Sequence, residues 1–254
     1  MQLKQSERSS TKIKVAMCGS SGSGKTYSAL LVAYGLTNDW NKIAVVDTEN
    51  GSANLYAHLG AYKVLSLDVP FSPERYIEAI TMCEKSGIEV IIIDSISHCW
   101  ENLLASHAAM LGNSFMNWNK ITPRYNAFIQ KILQSNSHVI CTMRTKQDYT
   151  LTEKNGKQVP EKAGTKVIMR EGINYEFTIV MDMDLCHKAK VTKDRTGIFA
   201  GLSEFVPSVE TGQTILNWCN NEAKIIELPR TLLALGQAQV LNPQNHLQHG
   251  SIAS

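Results

Sequence analysis

The chain has 254 residues, of which 43% are hydrophobic and 19% charged, and its formal net charge is +2. This balance is typical of soluble globular proteins and excludes disorder along most of the length. The longest apolar runs are far shorter than the roughly 18 residues that a membrane span needs. The small net charge neither requires nor excludes a nucleic-acid partner, because local clusters of Lys and Arg decide that question.

The six cysteines are scattered, with no CxxC pair and no Cys/His ligand spacing. Reduced thiols, several of them in the core, are therefore expected, and no metal is assigned to them. The start of the chain is polar and carries no apolar segment of a signal peptide, so a cytoplasmic location with no membrane partner is expected. Three regions are predicted: a polar arm (1–12), an α/β domain (13–228), and a Gln/Asn/His-rich, partly mobile tail (229–254).

Strands and helices alternate through the first part of the domain. The predicted order is a strand (13–18), a Gly/Ser loop, a helix (26–36), a strand (42–46), a short strand (64–67), a helix that starts at Ser72-Pro73 and stops at Gly87, and an apolar strand (88–93). The last of these is almost entirely β-branched, which is typical of a strand buried on both faces of a parallel sheet.

The second part is predicted to contain a helix (98–110), a helix start at Thr122-Pro123, a strand (138–143), a polar Lys-rich loop (147–166) with the turn signal Asn155-Gly156, two adjacent antiparallel strands (175–184 and 188–193), and a last helix (211–219). This alternation predicts an α/β fold: a mostly parallel β-sheet flanked by helices, with antiparallel strands at the C-terminal side. Functional groups are then expected at the carboxyl ends of the strands.

The strongest motif is a phosphate-binding loop. The residues Gly19, Ser20, Ser21, Gly22, Ser23, Gly24, Lys25 and Thr26 match G-x-x-x-x-G-K-[ST] at every position. Its glycines let the backbone N–H groups surround a phosphate, and the helix that follows adds its positive dipole end. Lys25 is expected to reach the β- and γ-phosphates, and the Thr26 hydroxyl is expected to bind Mg²⁺.

Two carboxylates complete the predicted site. Asp94 ends the apolar strand, as expected for a residue that orients Mg²⁺, although it could instead cap the next helix. Ser95 follows it, so the group that activates the attacking water must come from elsewhere. Glu49, two residues past the strand that ends at Asp47, is the candidate for this role, with a solvated turn residue as the alternative.

These features resemble the RecA-like P-loop ATPase core, and most closely the RecA-core phage recombinases that promote single-strand annealing (Sak-type). The resemblance covers roughly residues 13–201. It rests on the phosphate loop, the acidic strand end at 46–49, Asp94 without an adjacent Glu, and the segments 139–146, 170–177 and 193–197. No separate DNA-binding domain of the kind found in larger recombinases is evident.

The resemblance implies ATP and Mg²⁺ as ligands, single-stranded DNA as partner, and a homo-oligomer, either ring or filament, that could cooperate with a single-strand-binding protein. It also implies that Lys193 and Arg195 act as a basic finger inserted into a neighbouring subunit's nucleotide site, where a guanidinium stabilises transition-state charge. The alternative for Lys193 and Arg195 is that they form a basic strand end that faces solvent. Thr142 takes the position of a polar γ-phosphate sensor, with simple strand-end solvation as the alternative.

The polar loop that follows the predicted strand 138–143 is the predicted DNA contact. Lys charges next to an aromatic side chain suit single strands, through backbone electrostatics and base stacking. The predicted residues are Arg144, Lys146, Tyr149, Lys154, Lys157, Lys162 and Lys166. A solvated hairpin is the alternative. A second candidate is the segment 111–120, whose Phe115 and Trp118 are equally well explained as packed side chains.

Two weaker patterns suggest other chemistry. Thr145-Lys146-Gln147-Asp148 fits the [NT]-K-x-D guanine signature, but no D-x-x-G follows Asp94. His98, Trp100 and His107 lie near one another on a predicted helix, where packing is favoured over metal binding. The function classes left open are a DNA-dependent ATPase, another P-loop enzyme such as a small-molecule kinase or a DNA motor, and a nucleotide-gated interaction protein with negligible turnover.

Overall fold

A mostly parallel β-sheet lies between two layers of helices in the computed structural model, which describes residues 11–154 and 157–221. The predicted tail (229–254), the turn residues Asn155 and Gly156, and residues 1–10 of the predicted arm lie outside the described residues. Within the described part, no helix combines the length and the apolar character needed to cross a membrane. All six cysteines are free thiols, and Cys186 is the exposed one.

The strands are β1 (Lys14–Gly19), β2 (Ile43–Asp47), β3 (Lys63–Ser66), β4 (Val90–Asp94), β5 (His138–Lys154), β6 (Lys157–Val167), β7 (Ile179–Met183) and β8 (Ala189–Asp194). In the described part of the chain the sheet order is β3-β2-β4-β5-β1-β7-β8, and β6 pairs with β5. The strands β3, β2, β4, β5, β1 and β7 are parallel, and β8 runs antiparallel to β7. The predicted fold class is confirmed.

The helices are α1 (Lys25–Thr37), α2 (Pro73–Lys85), α3 (Ser97–Ala108), α4 (Ser114–Gln134) and α5 (Val209–Asn220). Their apolar faces bury two separate clusters, one on each face of the sheet. Residues of α1 and α5 pack on one face, and residues of α2, α3 and α4 pack on the other. Neighbouring residues of β4 enter opposite clusters, Ile91 one and Ile92 the other, so this strand is buried on both faces as its composition predicts.

The helix start predicted at Thr122-Pro123 is wrong. Helix α4 begins nine residues earlier, at Ser114, and Pro123 lies inside it. The Asn113 side chain caps the helix by accepting the Phe115 N–H at 2.9 Å. Buried residues continue N-terminally through the proline, from Tyr125 to Ile121 and Asn117, at helical spacing. Packing along this stripe outweighs the single hydrogen bond that Pro123 cannot donate.

This correction also changes the second candidate DNA loop. Residues 114–120 are helical, and Trp118 stacks on His107 at 4.3 Å and on Trp100 at 6.0 Å between ring centroids. The packing alternative therefore holds for Trp118. Phe115 is 82% exposed and has no such role.

The segment 147–166 is not an irregular loop. It forms a two-stranded antiparallel ribbon from β5 and β6, with a register shift next to Asp148 and Tyr149. Strand β5 pairs with β1 up to Arg144, so its last ten residues extend roughly 30 Å beyond the sheet. The strand predicted over 175–184 begins later, at Ile179, because Ile173–Tyr175 forms a short 3₁₀ turn after Gly172, whose φ is 87°.

Candidate functional site

The phosphate loop connects β1 to α1 at the carboxyl edge of the sheet. Gly22 and Gly24 have φ values of 79° and 83°, in the left-handed region that glycine adopts without strain. Gly24 precedes α1, and no side chain caps this helix or places an acid in its first turn. The first N–H groups of α1 are therefore available for an anion, as required of a phosphate site.

The loop opens into a cavity of about 810 Å³. Its wall brings together four residues predicted from sequence, Lys25, Thr26, Glu49 and Asp94. Lys25 donates to the carbonyl oxygen of Ser20 at 2.8 Å, and burial lowers the pKa of its ammonium. Within the loop, the hydroxyl of Ser23 is buried and has no hydrogen-bond partner. An unsatisfied buried hydroxyl next to a helix start is consistent with a polar ligand at this place.

Asp94 is 2% exposed and lies at the end of β4. One carboxylate oxygen accepts a hydrogen bond from the Thr26 hydroxyl at 2.6 Å, and the other accepts one from the Thr142 hydroxyl at 2.5 Å. Burial raises the pKa of Asp94, while both hydroxyls oppose that shift. The pair of Thr26 and Asp94 presents oxygen ligands, which is the donor chemistry that Mg²⁺ prefers. Thr142, predicted as a nucleotide contact, touches Asp94 directly.

Glu49 is held in place by the turn that follows β2. The buried carboxylate of Asp47 accepts the N–H of Glu49 at 2.7 Å and the N–H of Ala53 at 2.9 Å. Because Asp47 and Asp94 are paired neighbours on β2 and β4, this turn lies beside the end of β4. Glu49 thus reaches the same cavity as the phosphate loop from a different strand.

The Glu49 carboxylate is engaged by two side chains that the sequence did not connect with it. Arg144, at the base of the ribbon, donates Nε–H to Oε1 at 2.9 Å and a second N–H to Oε2. This bond to Glu49 raises the pKa of Arg144. The His98 Nε2 atom lies 3.9 Å from Oε1. Arg144 was predicted as a DNA contact, and that role stays a prediction, but its guanidinium lines the cavity and binds Glu49.

The cavity also has aromatic residues that sequence reasoning missed. Tyr27 and Tyr56 both line it, with ring centroids 5.7 Å apart. His187, at the turn between β7 and β8, packs against Gly24 from the other side. For Tyr56, the available sequence signal was its place in the segment after β2, the same segment that contains Glu49.

Lys193 and Arg195 lie away from this cavity. On β1, Gly19 pairs with Met183 of β7, and Met183 pairs with Ala189 of β8. Four residues earlier on β1, Val15 pairs with Ile179, and Ile179 pairs with Asp194. Lys193 pairs with Val180, which is level with Ala16, so it lies three residues from Gly19 along the strands, on the order of 10 Å. Arg195 comes after Asp194 and lies further away still. Both side chains donate to the carbonyl oxygen of Tyr175.

The remaining predicted DNA contacts lie on the ribbon. Lys146 faces Lys166 across the two strands, and Tyr149 faces Lys162. All four side chains are exposed, and the backbones of Lys154 and Lys157 pair with each other. Trp100 and His107 both stack on Trp118, as the packing interpretation of these side chains predicts.

Comparison with protein families shows that a family model described as an AAA domain matches residues 11–206 of this chain. The matched region includes the phosphate loop, Glu49, Asp94, the ribbon, and Lys193 and Arg195 at the end of β8. The comparison with curated proteins found no match.

The contact between Glu49 and Arg144 is testable by a double-mutant cycle with alanine. We expect a coupling free energy of about 1–2 kcal/mol, because the pair is bidentate and the Glu49 side chain is 23% exposed. The chain offers a matched control in Glu74 and Arg124, which are also bidentate but have side chains 57% and 36% exposed. That pair should couple by ~0.5 kcal/mol. Denaturant unfolding measures both values, and equal coupling of the two pairs would contradict the prediction.

Proposed function

Because the chain belongs to the AAA domain family of P-loop NTPases, we propose that it is a DNA-dependent ATPase that binds single-stranded DNA and promotes its annealing or pairing during recombination. The observation that carries the proposal is the shared position of two features. The cavity that holds the phosphate loop, Glu49 and Asp94 lies at the base of a ribbon that carries exposed lysines and a tyrosine. Nucleotide chemistry and DNA contact would meet at this point.

ATP would bind with its phosphates at the uncapped start of α1 and its base against the aromatic wall. Backbone N–H groups and Lys25 supply the phosphate contacts, and a base can pack on Tyr27 and Tyr56. Mg²⁺ would be held by the Thr26 hydroxyl and, through water, by Asp94, and when bound it neutralises charge on the phosphates.

Hydrolysis would use Glu49 to orient and deprotonate the attacking water. Glu49 is the carboxylate that lines the cavity in addition to Asp94, and Asp94 is already bonded to two hydroxyls. Lys193 and Arg195 would complete the site of a neighbouring subunit, because they lie too far along the strands from their own phosphate loop. The proposal thus makes the active form an oligomer, either ring or filament.

Single-stranded DNA would run along the ribbon. The exposed cations of Lys146, Lys162 and Lys166 supply phosphate contacts, and Tyr149 supplies a ring for base stacking. The recombinase role itself rests on the resemblance to RecA-core annealing proteins, as does cooperation with a single-strand-binding protein.

One observation favours a second candidate, a nucleotide-gated interaction protein with little turnover. Arg144 donates hydrogen bonds to both oxygens of Glu49, so each oxygen that would accept a proton from water already has a partner. Steady-state ATPase assays with and without single-stranded DNA separate the candidates. Stimulation by DNA supports the proposal, and tight ATP binding without turnover supports the second candidate. Phosphorylation of a small molecule would instead indicate a kinase.

Subunit sharing of the active site is testable by mixing two inactive variants. Glu49→Gln removes the proposed base from a subunit's own site, whereas Arg195→Ala removes the residue given to a neighbour. In a 1:1 mixture, about a quarter of the interfaces pair an intact Glu49 with an intact Arg195, so we expect roughly a quarter of the wild-type kcat. ATP binding by Arg195→Ala should stay unchanged.

The control mixture combines Glu49→Gln with Lys25→Ala. Both changes damage the subunit's own side of the site, so no interface is intact and no activity should return. Wild-type turnover by Arg195→Ala alone, or no recovery in the first mixture, would refute the shared site.

DNA binding by the ribbon is testable through its salt dependence. Replacing Lys146, Lys162 and Lys166 by Ala together should reduce the slope of log K against log salt by roughly 2, since each phosphate contact on a single strand contributes about 0.7. Tyr149→Ala should weaken binding by about 1–3 kcal/mol without changing the slope. Lys85→Ala, an exposed lysine on α2, serves as the control. An unchanged slope in the triple variant would place the DNA elsewhere.

A further inference from the structure

His98 lies in the first turn of α3 and faces the turn that follows β2. Its Nδ1 atom lies 2.8 Å from the Thr48 hydroxyl, and its ring stacks on Phe71 with centroids 4.9 Å apart. Its Nε2 atom faces Oε1 of Glu49 at 3.9 Å, and the His98 side chain is 12% exposed. The imidazole is thus fixed on two sides and directs its third side at the carboxylate proposed to activate water.

The hydrogen bonds of Thr48 determine which nitrogen of His98 carries the proton. The Thr48 hydroxyl accepts the Ser95 N–H at 2.8 Å. Its own hydrogen has three possible acceptors: Nδ1 of His98 at 2.8 Å, the Asp94 carbonyl oxygen at 3.1 Å and the Ser95 carbonyl oxygen at 3.3 Å. We assign it to Nδ1, the nearest, which leaves the proton of a neutral imidazole on Nε2.

Burial is the main factor that favours the neutral imidazole. Burial lowers the pKa of His98, and the guanidinium of Arg144 lowers it further, whereas Glu49, Glu101 and Asp94 oppose the shift. A neutral ring offers Glu49 an N–H donor without a second full positive charge next to Arg144. It can therefore orient the carboxylate through a hydrogen bond from Nε2.

We propose that His98 is a positioning residue for Glu49: the Thr48 hydroxyl fixes its tautomer, and its Nε2–H orients the Glu49 carboxylate toward the water that attacks ATP. The inference rests on the proposed role of Glu49. The separation of 3.9 Å is too long for a direct hydrogen bond, but contacts of this kind shorten when substrate is bound. Arg144 approaches Glu49 from β5 and His98 approaches it from α3, so two elements fix the direction of one carboxylate.

Two substitutions by amide side chains separate the roles of the two nitrogens of His98. The amide of His98→Asn can replace Nδ1 and keep the contact with Thr48, but it cannot reach Glu49. The amide of His98→Gln can replace Nε2 and keep a donor toward Glu49. We expect His98→Asn to lower kcat roughly 10-fold with KM within about twofold, and His98→Gln to retain most of the wild-type kcat. Steady-state kinetics, ATP affinity and melting temperature are measured for both variants.

The matched control is His107→Asn, the same change at an outward-facing position of the same helix. His107 contacts Trp118 and the Ser114 carbonyl oxygen, so kcat should stay at the wild-type value. In a Glu49→Gln background, His98→Asn should cause no further loss of kcat, because its proposed target is gone.

Three outcomes overturn the inference: wild-type kcat in His98→Asn, equal loss of kcat in the Asn and Gln variants, or a further loss in the Glu49→Gln background. If Glu49→Gln itself keeps the wild-type kcat, the proposed function of Glu49 fails, and this inference fails with it. If Glu49→Gln lowers kcat and His98→Asn does not, only the inference about His98 is wrong.

Discussion

The site depends on the hydrogen bonds that the buried carboxylate of Asp94 accepts. This carboxylate is buried at the end of β4 and accepts one hydrogen bond from Thr26 at the start of α1 and one from Thr142 near the end of the core part of β5. A buried carboxylate is stable only when its oxygens are satisfied, so these two bonds tie the phosphate loop to two neighbouring strands. The parallel register of β2 and β4 then brings the Glu49 turn to the same edge of the sheet.

Arg144 links this edge to the ribbon, because it belongs to the strand that continues into it. Strand β5 runs without a break from Thr142, next to Asp94, through Arg144 to the ribbon residues from Thr145 onward. Along this strand, the residue that binds Glu49 lies two positions before Lys146, the first exposed lysine of the ribbon. The proposed coupling of DNA contact to hydrolysis therefore needs no long-range path through the core.

The parts of the fold that could be predicted from sequence are those where a local pattern and tertiary packing agree. The phosphate loop, the buried strand that ends at Asp94 and the alternation of strands and helices are of this kind. The helix start at Thr122-Pro123 was wrong because a local proline signal competed with an apolar stripe that extends to Asn117. The ribbon was treated as a loop because its strands lie outside the packed core and show little apolar alternation.

The contacts around Glu49 could not be predicted from the sequence, and the reason is different. Arg144 is 95 residues from Glu49 in the chain and His98 is 49 residues away, and each reaches it only through the sheet order β2-β4-β5. Arg144 was therefore interpreted with the lysines that follow it, and His98 with the aromatic residues on its helix. Periodicity identifies the elements but carries no information on which side chains meet across an edge.

Binding of ATP to a Lys25→Ala variant tests the central claim most directly, with circular dichroism to show that the fold is retained. Titration calorimetry in the presence of Mg²⁺ should show an affinity at least ~10-fold weaker than that of the wild-type chain, because the ammonium next to the phosphate loop is lost. An unchanged affinity would contradict the account, since the nucleotide would then bind somewhere other than the cavity formed by the phosphate loop, Glu49 and Asp94.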